Sequence, residues 1–224
     1  MALLLVRLPS LRPVEAGTPS GIWTETISGL RYAAHSPLPR ALTLGTLMVV
    51  SFAAIDNVAL VFLVERDLHG SATAYGLAVA AFGVGMIIAS LALSRIAHRW
   101  QPGRWLLLGT VASATGTAAT GTAASLGLAA IGQGLAGIGN TAELVGTDTL
   151  VQQQAPAHIT GRVFAILYTA AQAGSGIASA AAGPLVATAG ARTALFIAGG
   201  GTLLGLAALH PAIRPRPEQT DLQG

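Results

Sequence analysis

Asp56 is the first residue whose type and place suggest chemistry. It lies about fifteen residues into an apolar run that begins at Ala41. An ionised carboxylate at that depth in a lipid-spanning helix costs ~2.5–3.5 kcal/mol on insertion scales, so it must face a cavity or a partner. A carboxylate that holds a proton in one state and releases it in another is what proton coupling requires. Asn57 beside it offers both a donor and an acceptor. The plainer alternative for Asp56 is a structural hydrogen bond to a neighbouring helix, or a wet position near the outer interface. A second set of candidates is Gln133, Asn140 and Thr147. They recur every seven residues, which keeps them on one helical face with a drift of only ~20° per step. Glu143 and Asp148 flank this stripe. Tyr168, Gln172, Ser175 and Ser179 follow at i, i+4, i+7 and i+11, again one face. Polar faces of this kind either line a pathway or hold helices together, the latter at about 0.6–2 kcal/mol per bond.

Other chemistries fail on spacing or context. Gly132-Gln133-Gly134-Leu135-Ala136-Gly137 fits the G-x-G-x-x-G fingerprint. Nucleotide binding by that motif needs a strand before it and a helix opening at the glycines. Here it lies inside an apolar helix, where close packing explains it. Gly174-Ser175-Gly176 resembles a serine-nucleophile motif, but no His lies within any predicted span, so a triad has no base. The five His have no metal-ligand spacing, and Cys is absent. No metal or cofactor is implied.

The elements that position these residues follow from composition. Of 224 residues, 52% are hydrophobic and 9% charged, and the mean hydropathy is +0.64. Soluble domains carry ~25% charged residues. Too few charges remain to cover a soluble core, which argues against a soluble enzyme. Six spans of ~20 apolar residues fit the length, so the expectation is an all-α membrane protein of six transmembrane helices. The spans are read as about 41–64, 74–94, 105–123, 126–150, 162–187 and 193–209. An unbroken helix from Trp105 to Leu150 would be about 69 Å long, more than twice the ~30 Å hydrocarbon core. The chain must therefore reverse at Ala124-Ser125. Residues 1–40 read as a linker with a short amphipathic helix over 22–34, ended by Ser36-Pro37-Leu38-Pro39. Residues 41–210 form the bundle, and 211–224 a tail.

The basic residues are twelve Arg and no Lys. Arg7, Arg12, Arg31 and Arg40 precede span 1; Arg95, Arg99 and Arg104 join spans 2 and 3. Arg162 begins span 5, and Arg214 and Arg216 lie in the tail. Ten of the twelve thus fall on one side, against Arg66 and Arg192 on the other. The positive-inside rule places both termini in the cytoplasm. The net charge of +3 therefore reflects loops at a lipid bilayer rather than a nucleic-acid partner.

Several segments resemble the major facilitator superfamily. Gly29-Leu30-Arg31-Tyr32 through Pro37-Leu38-Pro39-Arg40 is similar to the approach to that family's seventh helix. Tyr75-Gly76-Leu77 with Phe82-Gly83-Val84-Gly85 resembles its eighth helix. Gln152 to Pro156 with Gly161-Arg162-Val163-Phe164 resembles its helix 10–11 loop, and Leu3 to Pro9 the end of its sixth helix. The similarity covers nearly the whole chain and is nearest to the multidrug and siderophore exporter branch. It implies a bacterial-type plasma-membrane carrier performing proton-coupled efflux of a small amphipathic compound. By the resemblance, Asp56, Asn57, Gln133, Asn140, Glu143, Tyr168 and Gln172 lie on the substrate and proton pathway. The first and fourth helices line it, the fifth adds a wet face, and the third and sixth act as outer supports. Arg95, Arg99 and Arg104 occupy the place of the family's basic gating loop but lack its Asp; Gly161-Arg162 matches a second gating position. Family carriers have two six-helix halves, and this chain resembles the second. It is expected to be a fragment of a longer carrier, to pair with another half, or to form a homodimer. The rival readings are a partner-dependent half without transport of its own and, remotely, a membrane-embedded enzyme. Matches between spans 1–3 and 4–6 are too weak to count as an internal repeat.

Overall fold

The computed structural model describes residues 37–155 and 160–213. The expected amphipathic helix over 22–34 and residues 214–224 of the tail lie outside the described residues, while 211–213, read as the start of the tail, continue the last helix. Six long helices follow one another: α1 Pro37–Phe62, α2 Ala72–Ile96, α3 Pro102–Thr122, α4 Leu126–Gln154, α5 Thr160–Ala189 and α6 Ala191–Ile213. No strand occurs among the described residues. Among the described residues four helices, α1, α2, α5 and α6, are long and apolar enough to cross a membrane. In α3 and α4, Gly, Thr and amide side chains replace larger aliphatics, which lowers their apolar character. α1 begins at Pro37, four residues before the expected start of the first span, because proline tolerates the first turn, where an N–H has no partner to lose.

The joints are local and chemically explicit. The reversal after α3 is as short as expected: Ala123 is extended and Ser125 caps α4, accepting from the Leu128 N–H at 3.4 Å. The α1 end unwinds into a π-helical turn, Leu63–Asp67, closed by Leu68 N–H to the Leu63 carbonyl at 3.0 Å. Ser71 then caps α2. Gly190, at φ +85°, makes the α5–α6 turn in a conformation that favours glycine.

Two apolar clusters mark the two ends of the bundle. One joins Ala59, Leu63, Ala78, Ala123, Ala129, Val186 and Leu195. The other joins Leu42, Leu106, Leu150, Val163 and Leu209. Asp56 and Gln133 fall between them, at mid-depth. Arg40, Arg104 and Arg162 adjoin the second end, and Arg66 and Arg192 the first. At the first end Arg192 bridges Asp67 at 3.3 Å and donates to the Gly121 carbonyl at 3.0 Å. Near the second, Trp100 stacks on Trp105, whose indole N–H reaches the Ala97 carbonyl at 3.1 Å.

The helices meet as α1 with α5 and α6, α4 with α2 and α3, and α3 with α6. Exchanging α1 with α4, α2 with α5 and α3 with α6 returns the same set. That is the neighbour pattern of an inverted three-plus-three repeat, which the residue sequence does not display.

The two sets of seams are built differently. Along α3 and α4, Gly109, Gly116, Gly132, Gly139 and Gly146 bring backbone onto backbone. An added Cβ at Gly116 would come within 2.7 Å of the Gly132 carbonyl oxygen, and at Gly146 within 2.8 Å of the Pro102 carbonyl. Gly85 and Gly137 do the same between α2 and α4. Around α1 the glycines instead receive side chains: Leu209 over Gly45, Leu47 over Gly174 and the Phe52 ring over Gly201.

Candidate functional site

A cavity of about 120 Å³ opens where α1 faces α4. Asp56, Asn57, Gln133 and Asn140 line it, so four of the predicted pathway residues converge. Asp56 is buried at 8% exposure. Gln133 Nε2 donates to its Oδ1 at 3.3 Å, and the Thr117 hydroxyl lies beside the same carboxylate. Gln133 Nε2 also lies 3.4 Å from the Thr120 hydroxyl, which itself donates to the Gly116 carbonyl at 3.0 Å. The chain α1–α4–α3 is thus tied by polar groups at mid-depth. Asn57 donates to the Ala53 carbonyl one turn back at 3.2 Å, which leaves its own amide oxygen available to the cavity.

The seven-residue stripe on α4 explains how Gln133 and Asn140 share this wall. The glycine stripe Gly132, Gly139, Gly146 runs one residue earlier and holds α4 against α3, so the adjacent stripe is aimed past that seam toward α1. The fingerprint-like glycines serve packing, as expected: Gly132 meets Thr120, and Gly137 meets the Phe82 backbone.

Three predicted pathway residues stand outside the cavity. Glu143 is buried at 8% exposure on the α3–α4 seam, beside Thr110. The Thr110 hydroxyl donates to the Leu106 carbonyl at 2.8 Å, and Glu143 Oε2 has no hydrogen-bond partner. Tyr168 is exposed and donates to Asp148 Oδ1 at 2.9 Å, a tie between α5 and α4 near the second end. Gln172 is exposed on α5 and does not line the cavity. The wet face expected of α5 is therefore separate from the cavity. Conversely, Ser113 and Thr117 of α3 and Thr202 of α6 line it, although these helices were expected to be outer supports. Counting amides and carboxylates overlooked hydroxyls; Ser113 and Thr117, at i and i+4 in an apolar helix, were the available signal. Of the basic loop positions, Arg95 and Arg104 are exposed, and Arg95 donates to the Leu91 carbonyl at 3.4 Å. Arg99 ends the 3-10 turn before α3, and Gly161 and Arg162 lie exposed in the first turn of α5. No group of three metal-ligating side chains occurs among the described residues.

The model of the Major Facilitator Superfamily matches residues 42–223. No curated protein matches the chain. Among solved structures, a mutant of the peptide transporter POT in complex with alafosfalin is similar, with a TM-score of 0.65 and 14% identity. That similarity covers 82% of this chain and 41% of the transporter, so the chain spans less than half the length of the protein it resembles. At this identity the likeness shows the fold alone.

Proposed function

The chain belongs to the Major Facilitator Superfamily, and we propose that it is the second six-helix half of a secondary transporter that exports a small amphipathic compound in exchange for protons. Membership of the family and the apolar helices make it an integral membrane protein. Its work is transport rather than covalent catalysis. The observation that carries the reading is the cavity at mid-depth between α1 and α4, with Asp56 as its charged group. Family carriers hold substrate and coupling ion near the midplane, where helices of opposed repeats meet. In this reading all six helices cross the bilayer, α3 and α4 shielded by their shared seam. Both termini lie in the cytoplasm, because Arg40, Arg95, Arg99, Arg104 and Arg162 gather at one end. Efflux and the exporter branch follow from the sequence resemblance.

A second six-helix body completes the site. Pockets for drug-sized ligands run ~300–1,000 Å³, and the cavity measures about 120 Å³. It admits part of a substrate, so the remaining wall comes from another half, whether on the same polypeptide, on a separate chain or in a second copy. This favours the reading of a partner-dependent half over that of a self-sufficient carrier.

The test is Asp56→Asn in the transport-competent assembly. The variant keeps size and hydrogen-bonding capacity but removes the exchangeable proton. It should insert and fold normally, lose accumulation driven by a proton gradient in vesicles, and retain energy-independent exchange. Uphill pumping equal to the parent would make Asp56 structural and end the coupling proposal.

A further inference from the structure

The cavity has a charge pattern that proton exchange alone does not explain. Asp56 is the only charged side chain among the described residues that line it. The donors facing it, Gln133 Nε2 and the Thr117 hydroxyl, are neutral. A carboxylate accepts about four hydrogen bonds, so these two leave capacity for a further partner. The basic residues at the nearer end are engaged elsewhere. Arg66 lies over the Phe62 ring at 4.7 Å, and Arg192 holds Asp67 and the Gly121 carbonyl. Two aromatic residues, Phe52 of α1 and Phe82 of α2, line the same cavity. Phe52 is held by the Gly201 notch of α6. Aromatic rings attract cations, and a carboxylate in the same lining adds full charge.

These features discriminate among ligands by charge. An anionic group would meet Asp56 with no compensating cation. A neutral group would displace water without gaining an ion pair. An ammonium group gains the ion pair within a lining that also holds two aromatic side chains. Size gives the second constraint. At ~30 Å³ per water, 120 Å³ accommodates about four waters, which is room for a head group but not for a drug-sized body. We propose that this cavity is a cation-recognition pocket that takes the ammonium or methylated ammonium head of the substrate while the apolar remainder lies outside it. The proposal rests on the reading of the cavity as the substrate side of a transporter, and it names the class of substrate.

Choline and 3,3-dimethylbutanol test it, because they share shape and differ in charge at one atom. Equilibrium dialysis of radiolabelled choline against the 224-residue chain in lipid nanodiscs reads binding without any transport. The parent should retain choline. The neutral isostere should compete at least about tenfold more weakly, and the anionic isovalerate should not compete. Asp56→Asn should weaken choline by at least about tenfold and erase the preference over the isostere. Phe82→Leu and Phe52→Leu, which leave Asp56 in place, should each weaken choline several-fold without changing displacement by the isostere. No choline retention, equal competition by the isostere, or unchanged affinity in the Phe variants would overturn the proposal. Should Asp56→Asn fail to fold, the Phe variants and the isostere still decide. Binding of choline without gradient-driven accumulation would remove only the coupled-transport reading; accumulation without cation preference would remove only this one.

Discussion

Gly109→Ala puts one methyl group into the α3–α4 seam, and the geometry there sets its consequence. The added Cβ would sit 2.7 Å from the Gly139 carbonyl oxygen and 2.8 Å from the Ala142 carbonyl carbon, with the Glu143 amide nitrogen nearer still. All three are backbone atoms, so no rotamer change can relieve them. Ordinary contact begins at 3.4 Å, so the helices must part by roughly 0.7 Å (3.4 less 2.7) or more. A gap of ~0.5–1 Å forfeits a quarter to a half of the contact energy across the faces it opens. Overpacking of this kind costs ~1–3 kcal/mol. The upper end applies, because the strain is shared along a continuous stripe of glycines. Alanine returns up to ~1 kcal/mol through helix propensity. The net loss is about 2 kcal/mol, or ~30-fold in the folded ratio. Gly176→Ala on α5 is the control. No atom lies within 4 Å of its added Cβ, so it should be neutral or stabilising by up to ~1 kcal/mol. Unfolding by titration of SDS into mixed micelles, followed by far-UV circular dichroism and tryptophan fluorescence, measures both. A Gly109→Ala chain that unfolds at or above the parent midpoint would refute the backbone-on-backbone account of the seam.

Three further outcomes are expected. A single Cys at Ser71 should react with an impermeant thiol reagent from outside intact cells and one at Gln101 should not; the Cys-free parent gives a clean background, and the reverse pattern would invert the orientation. Arg192→Ala removes a partly exposed ion pair with Asp67 and the bond to the Gly121 carbonyl, so it should cost about 1 kcal/mol in the same unfolding assay, and Arg192→Lys should not restore it fully because Lys cannot reach both groups in the same fork geometry. Glu143→Gln should leave insertion and folding intact and reduce vesicle uptake less than Asp56→Asn, since Glu143 lies on the seam rather than on the cavity; a larger loss than Asp56→Asn would move the coupling site to α4.

The helices were legible because the apolar runs are long and their breaks carry ordinary signals. Ser71 and Ser125 cap helices, and Gly190 turns the chain where helix 5 must end. The start of the first helix was placed late because Arg40 and the prolines at 37 and 39 hid the first turn, where proline is tolerated. On the site, Asp56 and the Gln133–Asn140 stripe were visible as polar groups in apolar surroundings, where each must find a partner. Tyr168 and Gln172 were equally polar and equally periodic, but periodicity fixes a face and not its azimuth. The face they share is turned away from the cavity, toward Asp148 and the exterior. Thr202 stayed hidden because a hydroxyl in an apolar helix can satisfy itself on its own backbone, as Thr202 does on the Ala198 carbonyl at 2.9 Å. The inverted pattern of neighbours was hidden for another reason. Packing constrains which helices touch, and very different residues can make the same contact.

The two central helices, related by that pattern, differ in stiffness. α4 is seated against α2 and α3 through main-chain atoms at glycines, and main chain yields only by rigid displacement of a whole helix. α1 is seated against α5 and α6 through Leu47, Phe52 and Leu209, whose torsions can turn and refill the same notches at slightly different helix positions. The seams of α1 can therefore adjust by side-chain rotation, whereas those of α4 with α2 and α3 cannot. Asp56 rides on the compliant wall and Gln133 on the stiff one. The 3.3 Å bond between them therefore joins the wall seated through side chains to the wall seated through main chain.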